Sequence, residues 1–321
     1  MNGILRIAAL LACATAATVQ AQTQAFPWKT VRLVSGVTPG SASDTMARIV
    51  SEKLQASLGQ PVIVENRLGA GGIVAAGYVA KADPDGHTIS VYTSAFTVVP
   101  FTTNPPWDPI ADFAPVATLA TTPNILVTAP SRGYSTVQEL VAAAKANPGK
   151  LTYASAGLGS STHMGGEKFK AAAGIDVVHV PYKGAPEAIA DVIAGRVDYY
   201  FAPVVSALGQ IRDGKLRALA VGAPKRTPAL PDLPTTVEAG YPGSDYNFWV
   251  GMLVAAKTPR ETVERLNQEV NRVLQTPEVR ERTEKLGAEV LMMPLPAFEA
   301  MIRQELIDNE KVLQAAGVKR N

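Results

Sequence analysis

Short runs of β-branched residues alternate along this chain with stretches whose apolar positions recur every three or four residues. Thr30 to Gly36 reads as a first strand, and Met46, Ile49, Val50, Leu54 and Leu58 mark one face of a following helix. Val62-Ile63-Val64 is a second strand, apolar enough to be buried on both faces. A polar turn, Glu65-Asn66-Arg67, then leads through Gly69-Ala70-Gly71-Gly72 into a helix over Ile73 to Ala82. Asp83-Pro84-Asp85-Gly86 makes a turn, and Thr88 to Tyr92 a third strand ending at Thr93-Ser94-Ala95. Three strand–loop–helix units in succession predict an α/β fold with a mostly parallel sheet flanked by helices and a ligand beyond the strand C-termini.

The same grammar then returns. After an aperiodic loop over 101–113, Val116 to Ala120 and Asn124 to Thr128 read as strands joined by Thr121-Thr122-Pro123. Ser135-Thr136-Val137-Gln138 reads as a capping box, and strands follow at Leu151 to Ala154, Val177 to Val180, Val197 to Phe201 and Leu216 to Val221. Helices are expected between them. Pro224 to Pro242 reads as a hinge and covering loop, after which Tyr246 to Ala255 rejoins the first unit. Thr258-Pro259-Arg260-Glu261 predicts another capped helix, followed by a strand at Glu289 to Met292 and a terminal helix over Leu295 to Ala316. The pattern divides the chain into a first lobe of residues 26–123 and 225–321 and a second lobe of residues 124–224, with a cleft between them. Two crossings between two lobes make a hinged clamshell.

Composition narrows the compartment and the chemistry. Residues 1–21 read as an export signal, with Arg6 as the positive region, an apolar run from Ile7 to Ala17, and Val19-Gln20-Ala21 as the cleavage site. A periplasmic product cleaved after Ala21 is expected; Leu10-Leu11-Ala12-Cys13 offers the alternative of a lipoprotein anchored at Cys13. Cys13 is the single cysteine, so the processed chain has no thiol chemistry and no disulfide. Loss of Arg6 leaves 29 basic residues (30 − 1) against 28 acidic ones, a net charge of +1. No basic stripe suggests nucleic acid as a partner. Three scattered histidines lack metal-ligand spacing, and neither a metal nor a cofactor is expected.

The candidate chemistry lies in the loops. A glycine-rich turn between strand and helix presents main-chain N–H groups at the positive end of a helix dipole, a ready seat for an anion. Several such seats, contributed by both lobes, would grip a small carboxylate.

Six landmarks in order extend this reading: 29–34 (KTVRLV), 59–67 (GQPVIVENR), 69–72 (GAGG), 83–88 (DPDGHT), 180–184 (VPYKG) and 195–198 (GRVD). In them the chain resembles the Bug-type extracytoplasmic solute receptors of the tripartite tricarboxylate transporter family. The resemblance implies a two-lobed periplasmic-binding-protein fold of the type II-like clamshell kind. It also implies capture of an aromatic or aliphatic carboxylate through N–H groups, hydroxyls and waters, and delivery to a membrane permease by a monomeric receptor that is not an enzyme. The family's first loop commonly reads FPPGGSTD, whereas here it reads Val37-Thr38-Pro39-Gly40-Ser41-Ala42-Ser43-Asp44. Thr38 and Ser41 add hydroxyls and Val37 gives up a ring, so the loop has room for a larger or more polar ligand.

On this reading Thr38, Ser41, Ser43 and the N–H groups of Gly71, Gly72 and Ile73 hold the proximal carboxylate, flanked by Thr93 and Ser94. Ser155, Ser160, Ser161 and Thr162 cover the far end, with Lys183 and Phe201 on the rim. Asp198 and His163 read as structural. Two other readings use the same residues. A ligand-sensing partner of a signalling system needs the same cleft. An exported serine hydrolase built from Ser160, Ser161, His163, His179 and Asp198 lacks the Gly-x-Ser-x-Gly elbow.

Overall fold

The computed structural model describes residues 25–246 and 248–315. The segment expected to be an export signal, including Cys13, lies outside them. From the N-terminus the first elements are β1 (Val31–Ser35), α1 (Ala42–Leu58), β2 (Val62–Asn66), α2 (Ile73–Ala80), β3 (Thr88–Thr93), α3 (Val99–Thr102) and β4 (Phe113–Thr121). There follow β5 (Asn124–Thr128), α4 (Val137–Ala146), β6 (Thr152–Ser155), α5 (Ser161–Ala173), β7 (Val178–Pro181), α6 (Ala185–Ile193), β8 (Tyr199–Pro203), α7 (Val204–Arg212) and β9 (Arg217–Val221). The chain ends in β10 (Trp249–Ala255), α8 (Arg260–Leu274), α9 (Pro277–Lys285), β11 (Glu289–Val290) and α10 (Leu295–Ala315).

These form a six-stranded sheet, β11-β4-β10-β3-β1-β2, and a five-stranded sheet, β7-β6-β8-β5-β9. Both follow one plan. Each contains three parallel strands, with β1 between β2 and β3, and β6 between β7 and β8. Each sheet also takes in, antiparallel, the strand that arrives from the other sheet, β10 at the end of the first and β5 at the start of the second. The α/β expectation holds, but the sheets are more mixed than "mostly parallel" implies. The reason is geometric. A helical crossover returns the chain to the edge where its neighbour began, so the strands run parallel. A direct crossing instead enters at the edge where the parallel strands end, and the arriving strand must run back.

The first crossing is only Thr122-Pro123, between β4 and β5. The Pro-rich return behaves differently from a hinge: Val221 N–H donates to Pro234 O (2.8 Å) and Thr236 N–H to Val221 O (2.9 Å). Tyr241 packs edge-on against Phe169 of the second sheet's core. The return stays tied to that sheet as far as Tyr246, whose N–H donates to Gly222 O (3.1 Å), and pairing with the first sheet begins only at Trp249. Residues 225–246, expected with the first lobe, therefore cover the second.

Three helix starts differ in detail from expectation. Thr136 rather than Ser135 caps α4, accepting from Glu139 N–H (3.2 Å) while Glu139 accepts from Ser135 N–H (2.6 Å). Thr258 caps nothing, because Pro259 takes the N-cap position of α8 and the Thr258 hydroxyl donates to Ala255 O (2.7 Å). Ser41, not Ser43 or Asp44, stands at the N-cap of α1, and its hydroxyl is engaged elsewhere.

Apolar clusters lie beneath the helices: the largest joins residues of both sheets, among them Leu33 and Val127, and each sheet has a further one of its own. Phe96, Trp249 and Phe298 are fully buried in that of the first sheet, and Tyr153, Phe169, Tyr199 and Phe201 in that of the second. On α5, Gly166 lets the helix press onto the Tyr153 ring, where a Cβ would come within 2.4 Å of Cε2. Gly166→Ala is expected to cost roughly 1–3 kcal/mol by overpacking. Gly209→Ala on α7, with open space at its Cβ, should gain about 0.5–1 kcal/mol from helix propensity. Urea midpoints that move in the same direction for both would contradict this account of the packing.

Candidate functional site

The loop after β1 is fixed from behind by a buried carboxylate. Asp44 accepts from Gly40 N–H (2.9 Å), from Arg48 Nε (2.9 Å) and from Asn66 Nδ2 (2.8 Å). Asn66 Nδ2 also donates to Val37 O (2.9 Å). Burial raises the Asp44 carboxyl, and these bonds outweigh it, holding it below the usual carboxylate range. The loop after β3 is braced from the C-terminal helix. Glu305 accepts from Thr97 Oγ1 (2.9 Å) and Trp249 Nε1 (3.0 Å), and Asn309 Nδ2 donates to Thr97 O (3.1 Å). The Ser94–Thr97 turn of 3₁₀ helix is thereby held in place.

Against these fixed loops stand the N-termini of α5 and α6 from the second sheet. Ser161, the first residue of α5, accepts from Ala95 N–H (2.9 Å) and meets the hydroxyls of Thr93 (2.9 Å) and Ser94 (3.1 Å). In the other direction, Ser41 of the first unit accepts from Ala185 N–H (3.0 Å), the opening amide of α6. Each sheet thus supplies a buried serine that accepts a main-chain N–H of the other. Around them Thr38 Oγ1 donates to Glu187 Oε2 (2.9 Å), Thr38 N–H to Lys183 O (3.4 Å), and Ser206 Oγ to Gly40 O (2.9 Å). The backbones touch as well. A Cβ on Gly71 would lie 2.7 Å from Leu158 O, and one on Gly184 1.9 Å from Thr38 Oγ1. A cavity of about 20 Å³ remains, lined by Ser43, Gly71, Gly72, Tyr92 and Thr93 among others. That is space on the scale of a single water.

The expected residues divide into three groups. Thr38, Ser41, Thr93, Ser94 and Ser161 bond directly across the interface, and Gly71 touches across it. Ser43, Ser155, Ser160 and Thr162 are buried immediately behind. Ser43 bonds Ser35 Oγ (2.9 Å), Ser160 caps α5 at His163 N–H (3.2 Å), and Thr162 accepts from Ala156 N–H (2.8 Å). Four expectations change. Gly72 and Ile73 do not offer their N–H groups outward, because the 3₁₀ turn at Ala70–Gly72 folds them onto Gly69 O and Ala70 O. Lys183 is exposed and reaches the interface only through its carbonyl. Phe201 is not on a rim; it is fully buried against Phe169 in the second core.

Sequence reasoning missed three tyrosines. Tyr92 donates to Gly71 O (3.0 Å), fixing the glycine loop. Tyr246 stands beside Ser94 and Ser161, and Tyr200 beside Thr162, with burial pushing both phenols up. All three lie in apolar strand or crossing segments, where a lone phenol carries no periodic signal.

The hydrolase constellation is not brought together. The hydroxyls of Ser160 and Ser161 are committed elsewhere, and Asp198 is bound to Thr152 N–H (2.8 Å) and to Arg132 (3.0 Å). His179 Nε2 meets Ser155 Oγ (2.6 Å) and stacks on His163 at 4.2 Å between ring centroids; His163 Nδ1 accepts from Gly159 N–H (3.2 Å). Burial, together with Lys170 and, for His179, the neighbouring His163, pushes both imidazoles down to about 4, so neither is a strong base near pH 7. A larger hollow of about 430 Å³ lies outside, between α1 and α9. Its cations Arg48, Arg282 and Lys285 are paired with Asp44, Glu52 and Glu281. No group of three or more His, Cys, Asp or Glu able to hold a metal occurs among the described residues.

The model of the tripartite tricarboxylate transporter family receptor matches residues 46–318. The chain belongs to that receptor family. The receptor is 41% identical over 279 residues to a UPF0065 protein in the tcbD-tcbE intergenic region of Pseudomonas sp. strain P51, covering 86% of this chain and 83% of the relative. Its structure superposes on periplasmic binding protein BugD with a TM-score of 0.89 at 32% identity, covering 92% and 100% of the two chains. The Rhodopseudomonas palustris proteins Rpa4515, solved with adipate, and MatC, solved with malate, give TM-scores of 0.88 and 0.86 at 32% and 33% identity. Coverage is 92% of this chain and 100% of Rpa4515, and 90% and 100% for MatC. The chain is thus a solute receptor of a tripartite tricarboxylate transporter, it works with that transporter's permease, and it is periplasmic.

The histidine pair makes the receptor's stability depend on pH in a defined direction. Both imidazoles titrate near 6.5 when unfolded and near 4 when folded. Above pH 6.5 neither state carries the protons. Between pH 6.5 and 4 the unfolded chain takes them up and the fold does not, so stability falls as pH falls, and this loss levels off below about 4. Carboxylates contribute in the same window, so the measurement is a difference: Tm from pH 7 to 4 should drop less steeply in a His163→Gln, His179→Gln double variant than in the wild type. Parallel profiles would refute it.

Proposed function

We propose that the receptor captures a small organic carboxylate, alone as a monomer and without chemical turnover, by closing two lobes around it. The supporting observation is the reciprocal serine–amide exchange. A serine oxygen that accepts a main-chain N–H at a helix start occupies the position a carboxylate oxygen takes there, and the dipole favours the charged acceptor over the neutral one. Ala185 N–H is such a donor at the start of α6, and Ala95 N–H is its counterpart in the short Ser94–Thr97 turn, one from each sheet, with hydroxyls around them and, among the described residues, no cationic side chain bonded between them. The lobes divide at Thr122-Pro123 and at the crossing into Trp249, and opening about those two strands separates Ser161 from Ala95 and Ser41 from Ala185. Rpa4515 and MatC, solved with adipate and malate, are dicarboxylate-bound relatives of the same fold. An export signal cleaved after Ala21 delivers the receptor to its compartment.

A thermal-shift panel of malate, adipate, citrate, terephthalate, glutamate and nicotinate tests the reading. At 100 times Kd a ligand stabilises by about 2.7 kcal/mol, so at least one acid should raise Tm in the wild type. Ser161→Trp places a ring where the two sheets meet and should abolish that shift with the circular dichroism spectrum unchanged. A full ligand shift in the tryptophan variant would remove this interface as the binding site.

A further inference from the structure

The first crossing contains polar groups that the fold does not use. Asn124 is fully buried, and neither its Nδ2 nor its Oδ1 has a hydrogen-bond partner; the hydroxyl of Thr122, two residues earlier and equally buried, has none either. Leaving a buried amide unbonded is costly, and native structures rarely tolerate it without a reason. An apolar residue of the same size would fill the space at no such cost.

The position of this amide says what it is for. Asn124 begins β5 opposite Pro203, the last residue of β8, so it stands at the edge of the second sheet from which α7 starts. Its main chain is fully occupied in the sheet, with its carbonyl accepting from Gly222 N–H (2.7 Å). Its side chain lies under α5, where a Cβ on Gly165 would come within 3.3 Å of Nδ2 and 3.5 Å of Phe201 Cβ. Glycine inside a helix weakens it relative to alanine, and here it leaves the helix backbone bare over the carboxamide. Gly165 follows Ser161 by four residues, so the two share one face of α5, a turn apart. The amide is therefore set one helical turn below the serine that meets Ala95 N–H, next to the crossing about which the lobes move. Tyr200, also fully buried, approaches the same helix start at Thr162.

We infer that Asn124 is a specificity-determining residue that hydrogen-bonds the distal polar group of a bifunctional ligand. The inference rests on the carboxylate reading of the cleft and extends it. The first carboxylate is held at the serine-bridged amides, and the Asn124 Nδ2 donates to an oxygen of the second carboxylate, distinguishing a dicarboxylic acid from its monocarboxylic counterpart.

Matched acids make the test direct: malate against lactate, and adipate against hexanoate, each pair differing by one carboxylate. Isothermal calorimetry on the wild type comes first, and a dicarboxylate should bind with its monocarboxylate partner at least roughly tenfold weaker. Asn124→Leu removes both unbonded atoms at similar volume. It should leave Tm without ligand unchanged or higher, weaken the dicarboxylate by roughly tenfold or more, and erase the preference within the pair. Asn124→Asp keeps the shape and should bind the dicarboxylate more weakly than Asn124→Leu does, through charge repulsion. Dicarboxylate affinity within about twofold of wild type in either folded variant would overturn the inference and leave Asn124 a holder of structural water. If no acid of the panel binds the wild type, the carboxylate reading itself falls and this inference falls with it; that failure is seen on the wild type before any variant is made.

Discussion

A main-chain N–H at the start of a helical turn must have an acceptor, and in this receptor the shorter bond at one such position and the acceptor at another come from the opposite sheet, although Ala95 N–H also reaches Thr93 Oγ1 (3.3 Å) in its own. Ser161 serves Ala95 and Ser41 serves Ala185. The rest of the architecture is arranged so that those four residues meet. Asp44 and Asn66 fix the loop that carries Ser41, Glu305 and Asn309 fix the turn that carries Ala95, and Tyr92 holds the glycine loop between them. A hydroxyl and a carboxylate oxygen accept the same bond, so on the proposed reading one set of donors serves both the direct contact between lobes and the contact each lobe makes to an anion.

The sheets explain why both partners sit at one edge. In each sheet the parallel strands end at the interface and the helices that follow them begin there, which directs α5 and α6 toward the first sheet. The strands that cross, β5 and β10, must start at that same edge and so run antiparallel to their neighbours. Thr122-Pro123 and the segment entering Trp249 lie side by side, with Thr122 N–H donating to Phe248 O (3.0 Å). On the proposed reading, two crossings bonded to each other at this point serve as the hinge about which the lobes open.

Much of this was legible in the sequence, and the failures have identifiable physical causes. The strand–loop–helix repeat, the crossing at Thr122-Pro123 and the hydroxyl-rich loops depend on local patterns, and local patterns are written in the chain. Direction of pairing is a long-range property, which is why β10 and β5 did not declare themselves antiparallel. The glycine loop was read as free donors, whereas a 3₁₀ turn consumed two of them; left-handed backbone at Gly71 and Gly72 decides that, and the letters alone show only that glycine permits it. Phe201 was drawn toward the site by its place at a strand end, yet its side chain falls on the face that packs under α5. Tyr246 and Asn124 give no signal because each follows a polar turn or crossing, Gly243-Ser244-Asp245 and Thr121-Thr122-Pro123, and acquires meaning only when its burial is known.

On the proposed reading, recognition by dipoles and hydroxyls rather than by a lysine or arginine also sets the strength of binding. A neutral serine–amide bond is worth about 0.5–1.5 kcal/mol net and a charged one about 1.5–3. Exchanging serine for carboxylate at two amides therefore favours the ligand by only a few kcal/mol, short of the roughly −8 that micromolar binding requires. The remainder must come from the groups the two amides do not reach: the hydroxyls of Thr38, Thr93 and Ser94, the walls around Tyr92, and the far end of the cleft. A receptor whose anion seats are already served by its own hydroxyls does not hold any passing anion firmly. On that reading selectivity belongs to the distal contacts, and release to the permease needs only that the lobes be drawn apart, because among the described residues no lysine or arginine bonds the two serine-bridged amides.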